Sequence, residues 1–232
     1  MKQFSNLYIF CFSSALVLVV AAALSFTSLS LKDKQEENIE IERQQNILKS
    51  LGVVTTKADV KEKFDQYITK SIVIKADGTI ADGEVAKDID LKKENAKPVN
   101  ERLLPLYIDE KNDRVVIPVR GTGLWGPIWG NVALESDMNT ICGVTFDHAG
   151  ETPGLGAEIS TAIFQEQFSK KKLFVGDNFV SVKVEKKGTY KKPDDYKVDA
   201  ISGGTITSKA LEAMIYNGIE PYKTYFSQHK SN

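Results

Sequence analysis

The chain has 232 residues, 42% of them hydrophobic and 26% charged, with 30 basic residues against 31 acidic ones and a formal net charge of -1. This is enough apolar material for one sizeable core, and the charge balance lacks the basic excess that binding nucleic-acid phosphates requires. Two cysteines and two histidines exclude a disulfide framework and a Cys/His zinc cluster, so no metal site is expected.

From Leu7 to Leu29 the sequence carries no charged residue. As a helix this run spans about 34 Å, enough to cross a hydrocarbon core of about 30 Å. The apolar region of a cleaved signal peptide is shorter, roughly 7–15 residues, so the run is read as an uncleaved anchor. Cys11 sits inside it as a small apolar residue. No acidic residue lies in the span to line an ion path. The positive-inside rule weighs Lys2 and the amino terminus against Lys32 and Lys34, which is nearly a tie and does not orient the chain.

Residues 32–51 are polar, rich in helix formers and sparsely apolar, and predict a juxtamembrane helix that stops at Gly52. The pattern then changes to short runs of β-formers separated by turn residues. Ser71–Lys75 runs into Asp77-Gly78, a hairpin signal that Asp82-Gly83 repeats. Tyr107–Asp109 and Arg114–Val119 flank a turn at Lys111-Asn112-Asp113, and Val132–Glu135 and Ile141–Phe146 flank another at Asp137-Met138-Asn139. Phe179–Glu185 reads as one alternating strand. Helices are expected over Glu158–Lys170 and Ser208–Tyr225, the second with a buried face of Leu211, Met214, Ile215, Ile219 and Tyr222 and a break near Pro221. Strands joined by short turns imply an α+β fold, a mainly antiparallel sheet with packed helices, and not a doubly wound nucleotide fold.

Three glycine-rich stretches stand out. Gly121–Gly130 (GTGLWGPIWG) holds both tryptophans of the chain. Either it is a Gly/Pro turn whose tryptophans plug the core, or Trp125 offers a flat face to an aromatic ligand. His148–Glu158 (HAGETPGLGAE) joins a strand to a helix. His148 and Glu151 are an acid–base pair by residue type, although a histidine in a polar loop is more often a hydrogen-bonding residue. Asp199–Ser208 (DAISGGTITS) opens the last helix with hydroxyls at Ser202, Thr205, Thr207 and Ser208 around Gly203-Gly204, a setting that favours a phosphate. The bland reading there is N-capping by one hydroxyl.

Asp199-Ala200-Ile201-Ser202-Gly203-Gly204-Thr205 resembles the flavinylation motif D-x-x-S/T-G-A-T of the FMN-binding domain family, with Gly204 where the motif has Ala. Together with ETPGLG at 151–156 and GLWGPIWG at 123–130, the chain is similar to the C subunits of Na⁺-translocating NADH:quinone oxidoreductases. The resemblance implies FMN bound covalently through a phosphoester to Thr205, placed by a flavin transferase that takes FMN from FAD. It further implies cofactor contacts from Trp125, Glu151, Thr152, Leu155, Gly156, Ser202, Gly203, Gly204 and Thr207, with Asp199 as the acidic residue of the motif and no catalytic acid or base of the chain's own. Electron relay within a multisubunit NADH:quinone reductase follows, with the other subunits as partners. The single-pass anchor would then lie in a bacterial inner membrane with the C-terminal domain on the periplasmic side. On this reading residues 1–31 are the anchor, 32–52 the stalk and 53–232 the FMN-binding domain. The alternatives are the G subunit of an Rnf-type electron-transport complex, which shares the motif, and an anchored extracytoplasmic binding or scaffold protein without redox chemistry.

Overall fold

A computed structural model describes residues 5–229. Lys2, which entered the charge balance across the span, lies outside the described residues. The chain divides into two compact units with the boundary between Arg43 and Gln44. Helix α1 (Asn6–Ser50) is continuous, so the anchor and the stalk expected from the sequence are one helix. In the first unit its apolar residues stand exposed, Leu7 by 73% and Phe26 by 74%. A helix of that length and composition with an apolar surface is consistent with a single-pass membrane anchor.

In the second unit the last turns of α1 bury Ile47 and Leu48. The helix stops where the sequence places the stop. Gly52 has φ +80°, its N–H donates to Lys49 O at 2.9 Å and that of Val53 to Leu48 O at 3.0 Å, the paired bonds of a Schellman cap. Helix α2 (Val60–Tyr67) follows, then β1 (Lys70–Lys75). A long connection holding α3 (Leu91–Asn95) leads to β2 (Leu103–Asp109), β3 (Arg114–Thr122), β4 (Pro127–Leu134) and β5 (Ile141–His148). These five strands form an antiparallel sheet in the order β1-β2-β3-β4-β5.

Side chains fix the two predicted turns. Asp109 accepts from the Asn112 side chain at 2.7 Å, and Asp137 accepts from the Thr140 amide at 2.7 Å and its hydroxyl at 2.6 Å. The expected hairpin at Asp77-Gly78 is only a stub. The chain turns there but returns as one isolated bridge, Ile74 to Ile80, because the second turn at Asp82-Gly83 begins before a strand can form. The full partner of β1 is β2.

Two more expectations are corrected. The helix predicted over Glu158–Lys170 is a series of short pieces: a 3-10 turn at Gly156–Ser160, α4 (Ala162–Gln165) and another 3-10 turn at Glu166–Phe168. Thr161 is extended between them, and the hydroxyls of Ser160 and Thr161 take the carbonyls of Ala157 and Glu158. Buried Gln165 donates to Phe146 O at 2.9 Å and Ile159 O at 3.1 Å. The predicted strand Phe179–Glu185 is also broken. Its first part belongs to β7 (Asn178–Phe179), paired with β6 (Phe174–Val175), and its last to β8 (Lys183–Glu185), which lies parallel to β9 (Lys197–Asp199). Between them Val180 and Ser181 both donate to Leu173 O, and Ser181 adopts φ +58°, which lets Val182 and Val184 both be fully buried.

Helix α5 (Thr205–Ile219) begins three residues before the predicted start. It ends in a 3-10 turn around Pro221 that leads into α6 (Lys223–His229). Leu211, Met214, Ile215, Ile219 and Tyr222 are all buried, packing α5 over β3 and the sheet core of Ile117, Val119, Ile128 and Val132. That packing holds the N-terminus of α5 beside the β3–β4 turn and the loop after β5.

Candidate functional site

Glu151 joins the three glycine-rich stretches. Its side chain is buried, 4% exposed, and accepts from the Trp125 amide at 2.8 Å and from the Thr207 hydroxyl at 2.5 Å. The carboxyl therefore links the β3–β4 turn, the loop after β5 and the first turn of α5. Small residues make room for it. A Cβ on Gly123 would stand 2.5 Å from Glu151 Oε1, and one on Gly156 would collide with Glu151 Oε2 and stand 2.5 Å from Thr207 Oγ1. His148 Nδ1 accepts from the Glu151 amide at 3.2 Å, so the ring orients the loop while the carboxyl has other partners.

The motif turn is tight. Gly204 N–H donates to Ile201 O at 3.0 Å and Gly203 has φ +75°, the positive angle a type II turn needs at its third residue. The Ser208 hydroxyl accepts from the Ile201 amide at 3.1 Å, closing the turn against the helix. Gly204 is buried, and a Cβ there would lie 2.9 Å from Ile201 Cγ2 and 3.3 Å from the Leu155 carbonyl carbon. The glycine in place of the motif's alanine therefore goes with close packing against Ile201 and Leu155.

Ser202, Gly203 and Thr205 are exposed, whereas Thr207 is 2% exposed and Ser208 fully buried. As N-cap, Gly204 has no side chain with which to cap the first-turn amides. Those donors and the positive end of the helix dipole are available to an anion, so the residues present fit a phosphate ester at Thr205. Around this start lies exposed apolar surface: Leu124, Trp125 at 67%, Leu155 at 41% and Ile206 at 61%. Trp125 is thus outside the core. Thr152, with Pro153 and Gly154, is exposed in the same loop, and its carbonyl accepts from the amides of Leu155 and Ala157 at 3.1 Å.

Asp199 has partners that sequence reasoning missed. Its Oδ1 accepts from the Tyr190 hydroxyl at 3.1 Å, its Oδ2 pairs with Lys192, and its amide donates to Gln167 Oε1 at 2.9 Å. Burial alone works against ionisation of Asp199, but the hydrogen bonds from Lys192 and Tyr190 outweigh it and hold the carboxyl below the usual range. Burial, followed by the hydrogen bond to Asp199, pushes Tyr190 up to about 12. The only signal of these contacts in the sequence is the Lys/Tyr-rich segment 186–192 just before the motif.

A family model described as an FMN-binding domain matches residues 123–220, a range that takes in Trp125, Glu151, Asp199 and Thr205. The chain is 32% identical over 216 residues to the C subunit of the Na(+)-translocating NADH-quinone reductase of Vibrio vulnificus, covering 85% of this chain and 84% of that one. It is 31% identical over 235 residues to the corresponding C subunit of Haemophilus ducreyi, covering 91% and 90%. The crystal structure of the Parabacteroides distasonis C subunit matches with a TM-score of 0.78 at 34% identity, over 87% of this chain and 98% of that one. With similarity over that length of chain and fold, the chain belongs to the family of C subunits of Na⁺-translocating NADH-quinone reductases.

Proposed function

We propose that the chain is the membrane-anchored flavoprotein subunit of a Na⁺-translocating NADH:quinone oxidoreductase and relays electrons through FMN esterified to Thr205. The attachment rests on one contrast in the first turn of α5. Thr205 is exposed, whereas the hydroxyls of Thr207 and Ser208 are buried and committed to Glu151 and the Ile201 amide. A nucleophile must be reachable by the transferase and its donor, and of these three only Thr205 is.

The ester forms as Thr205 Oγ1 bonds to the flavin-side phosphorus of FAD and the diphosphate P–O bond breaks. AMP leaves with the electron pair, and the hydroxyl proton passes to the released phosphate. First-turn amides of α5, with Ser202, Gly203 and Gly204 in the turn, would hold the phosphate. Trp125, Thr152 and Leu155 would contact the ring, while Glu151, Gly156 and Thr207 would support these loops. When bound, FMN supplies one- and two-electron redox chemistry; the chain holds and orients it. In this role the chain is part of an oxidoreductase and needs no acid or base of its own.

The apolar part of α1 anchors the chain in a bacterial inner membrane with the C-terminal domain on the periplasmic side, where a covalent tether keeps the cofactor from diffusing away. Its partners are the other subunits of the complex and, during maturation, a flavin transferase. The names of the matched relatives favour this assembly over an Rnf-type complex.

Co-expression with a flavin transferase followed by intact mass and peptide mapping tests the reading. The expected product carries one FMN on Thr205 and stays with the membrane through an alkaline wash; Thr205→Val abolishes the modification. FMN mapped to Thr207 or Ser208 would overturn the attachment site, and a chain that takes up no flavin would favour a scaffold without redox chemistry.

A further inference from the structure

The loop between β8 and β9 contributes two side chains that reach the acidic residue of the motif. Most of the loop is exposed: Lys186 to Thr189 and Lys191 to Pro193 all face solvent. Within it, Tyr190 and Lys192 engage the two oxygens of Asp199, whose side chain is 15% exposed. Lys192 and Lys197 also stand over the Tyr190 ring, at 5.9 and 5.7 Å from its centroid.

The main chain around Asp199 is equally fixed. Its amide is held by Gln167, the amide of Ala200 donates to Glu185 O at 2.7 Å, that of Ile201 to the Ser208 hydroxyl, and that of Gly204 to Ile201 O. Asp199 and Thr205 thus stand at the two ends of a short segment tied down along its length. Lys192 is itself 57% exposed, so the pair buries little of the lysine. Its consequence is to fix the direction and ionisation of one carboxylate.

We propose that Tyr190 and Lys192 are positioning residues for the modification of Thr205, acting through Asp199. The proposal rests on the reading that Thr205 is the acceptor of FMN. In that transfer the Oγ1–P bond forms, the P–O bond of a flavin dinucleotide breaks, AMP leaves with the electron pair, and the hydroxyl proton ends on the released phosphate. A carboxylate held ionised at the edge of the motif serves the transfer by holding a cation that accompanies the diphosphate. That task requires a fixed direction, which Tyr190 and Lys192 provide. Without them Asp199 loses its aim while the surface presented to the transferase is otherwise kept.

The test uses the full chain in detergent with purified flavin transferase and FAD, following FMN fluorescence and intact mass against the concentration of the chain. Lys192→Met and Tyr190→Phe are expected to lower kcat about tenfold or more while KM for the chain stays within about twofold, the split that marks an interaction made in the transfer step. Lys192→Arg should restore most of the rate, and the loss of kcat in the other variants should persist at temperatures well below their thermal midpoints. Unchanged or faster incorporation in Lys192→Met and Tyr190→Phe overturns the proposal while leaving Thr205 as the acceptor. A loss confined to KM, or one that tracks a lowered midpoint, assigns the pair a structural role and likewise overturns it. If the unmutated chain takes no FMN on Thr205, the functional reading fails and the proposal with it.

Discussion

The Thr207 hydroxyl donates to Glu151 Oε2 at 2.5 Å, across 56 residues of chain, and Glu151 Oε1 at the same time accepts from the Trp125 amide. One buried carboxyl thereby sets the spacing between the start of α5 and the two loops beside it. Glu151→Ala leaves the buried Thr207 hydroxyl and the half-exposed Trp125 amide without their acceptor, a loss of about 1–3 kcal/mol. Glu151→Gln keeps an acceptor for the Trp125 amide and a donor for Thr207 Oγ1 and is expected to cost under about 1 kcal/mol. Thr207→Val is expected to cost about 1–3 kcal/mol yet still carry FMN on Thr205. Denaturant midpoints and intact masses of the three variants check this.

Trp125 is expected to act on the flavin and not on the fold. Its side chain is 67% exposed, so Trp125→Ala should change stability by about 0.5 kcal/mol or less. The covalent bond should survive, since it forms at the other end of the cofactor. Absorbance and redox titration of the flavinylated variant should show a shifted spectrum or potential; if neither moves, Trp125 does not flank the ring.

Ser181 carries two costs at once. It is fully buried at φ +58°, and its hydroxyl has no hydrogen-bond partner among the described residues. Ser181→Gly removes both the orphaned hydroxyl and the left-handed strain, against a loss of backbone entropy, for a net gain of about 1 kcal/mol. Ser181→Ala removes only the hydroxyl and should gain less. Urea midpoints at constant m-value distinguish the two.

Acid should unfold the domain in a definite window. Asp137, Asp199 and Glu212 are each pushed upward by burial, but hydrogen bonds from Thr140, from Lys192 and Tyr190, and from the Val184 amide and Lys209 respectively outweigh it and leave all three below the usual range. A depressed folded pKa contributes stability that is present above the unfolded value, about 4, and is lost as pH falls through the folded value. Stability should therefore be flat from neutral pH down to about 5 and decline below about 4. Lys209→Met should move the decline to higher pH by weakening the hold on Glu212, which circular dichroism against pH reads directly.

Features set by neighbouring residues were legible in the sequence. The uncharged run Leu7–Leu29, the stop at Gly52, the turns at Lys111-Asn112-Asp113 and Asp137-Met138-Asn139, and the buried face of α5 each depend on residue types within a few positions of one another. The motif Asp199–Thr205 is local in the same way, since spacing alone sets its turn at the helix start. What the sequence left open needed contacts between distant segments. Whether Trp125 plugs the core or faces solvent, and which hydroxyl of Thr205, Thr207 and Ser208 is free, depend on where Glu151 lands. Two strong patterns, Glu158–Lys170 and Phe179–Glu185, are broken, the first at extended Thr161, whose hydroxyl takes the Glu158 carbonyl, and the second where the amides of Val180 and Ser181 both turn to the Leu173 carbonyl. The partners of Asp199 come from a loop with no pattern of its own. Local propensity sets the elements; burial and long-range hydrogen bonds decide which side chains are committed and which remain free to react.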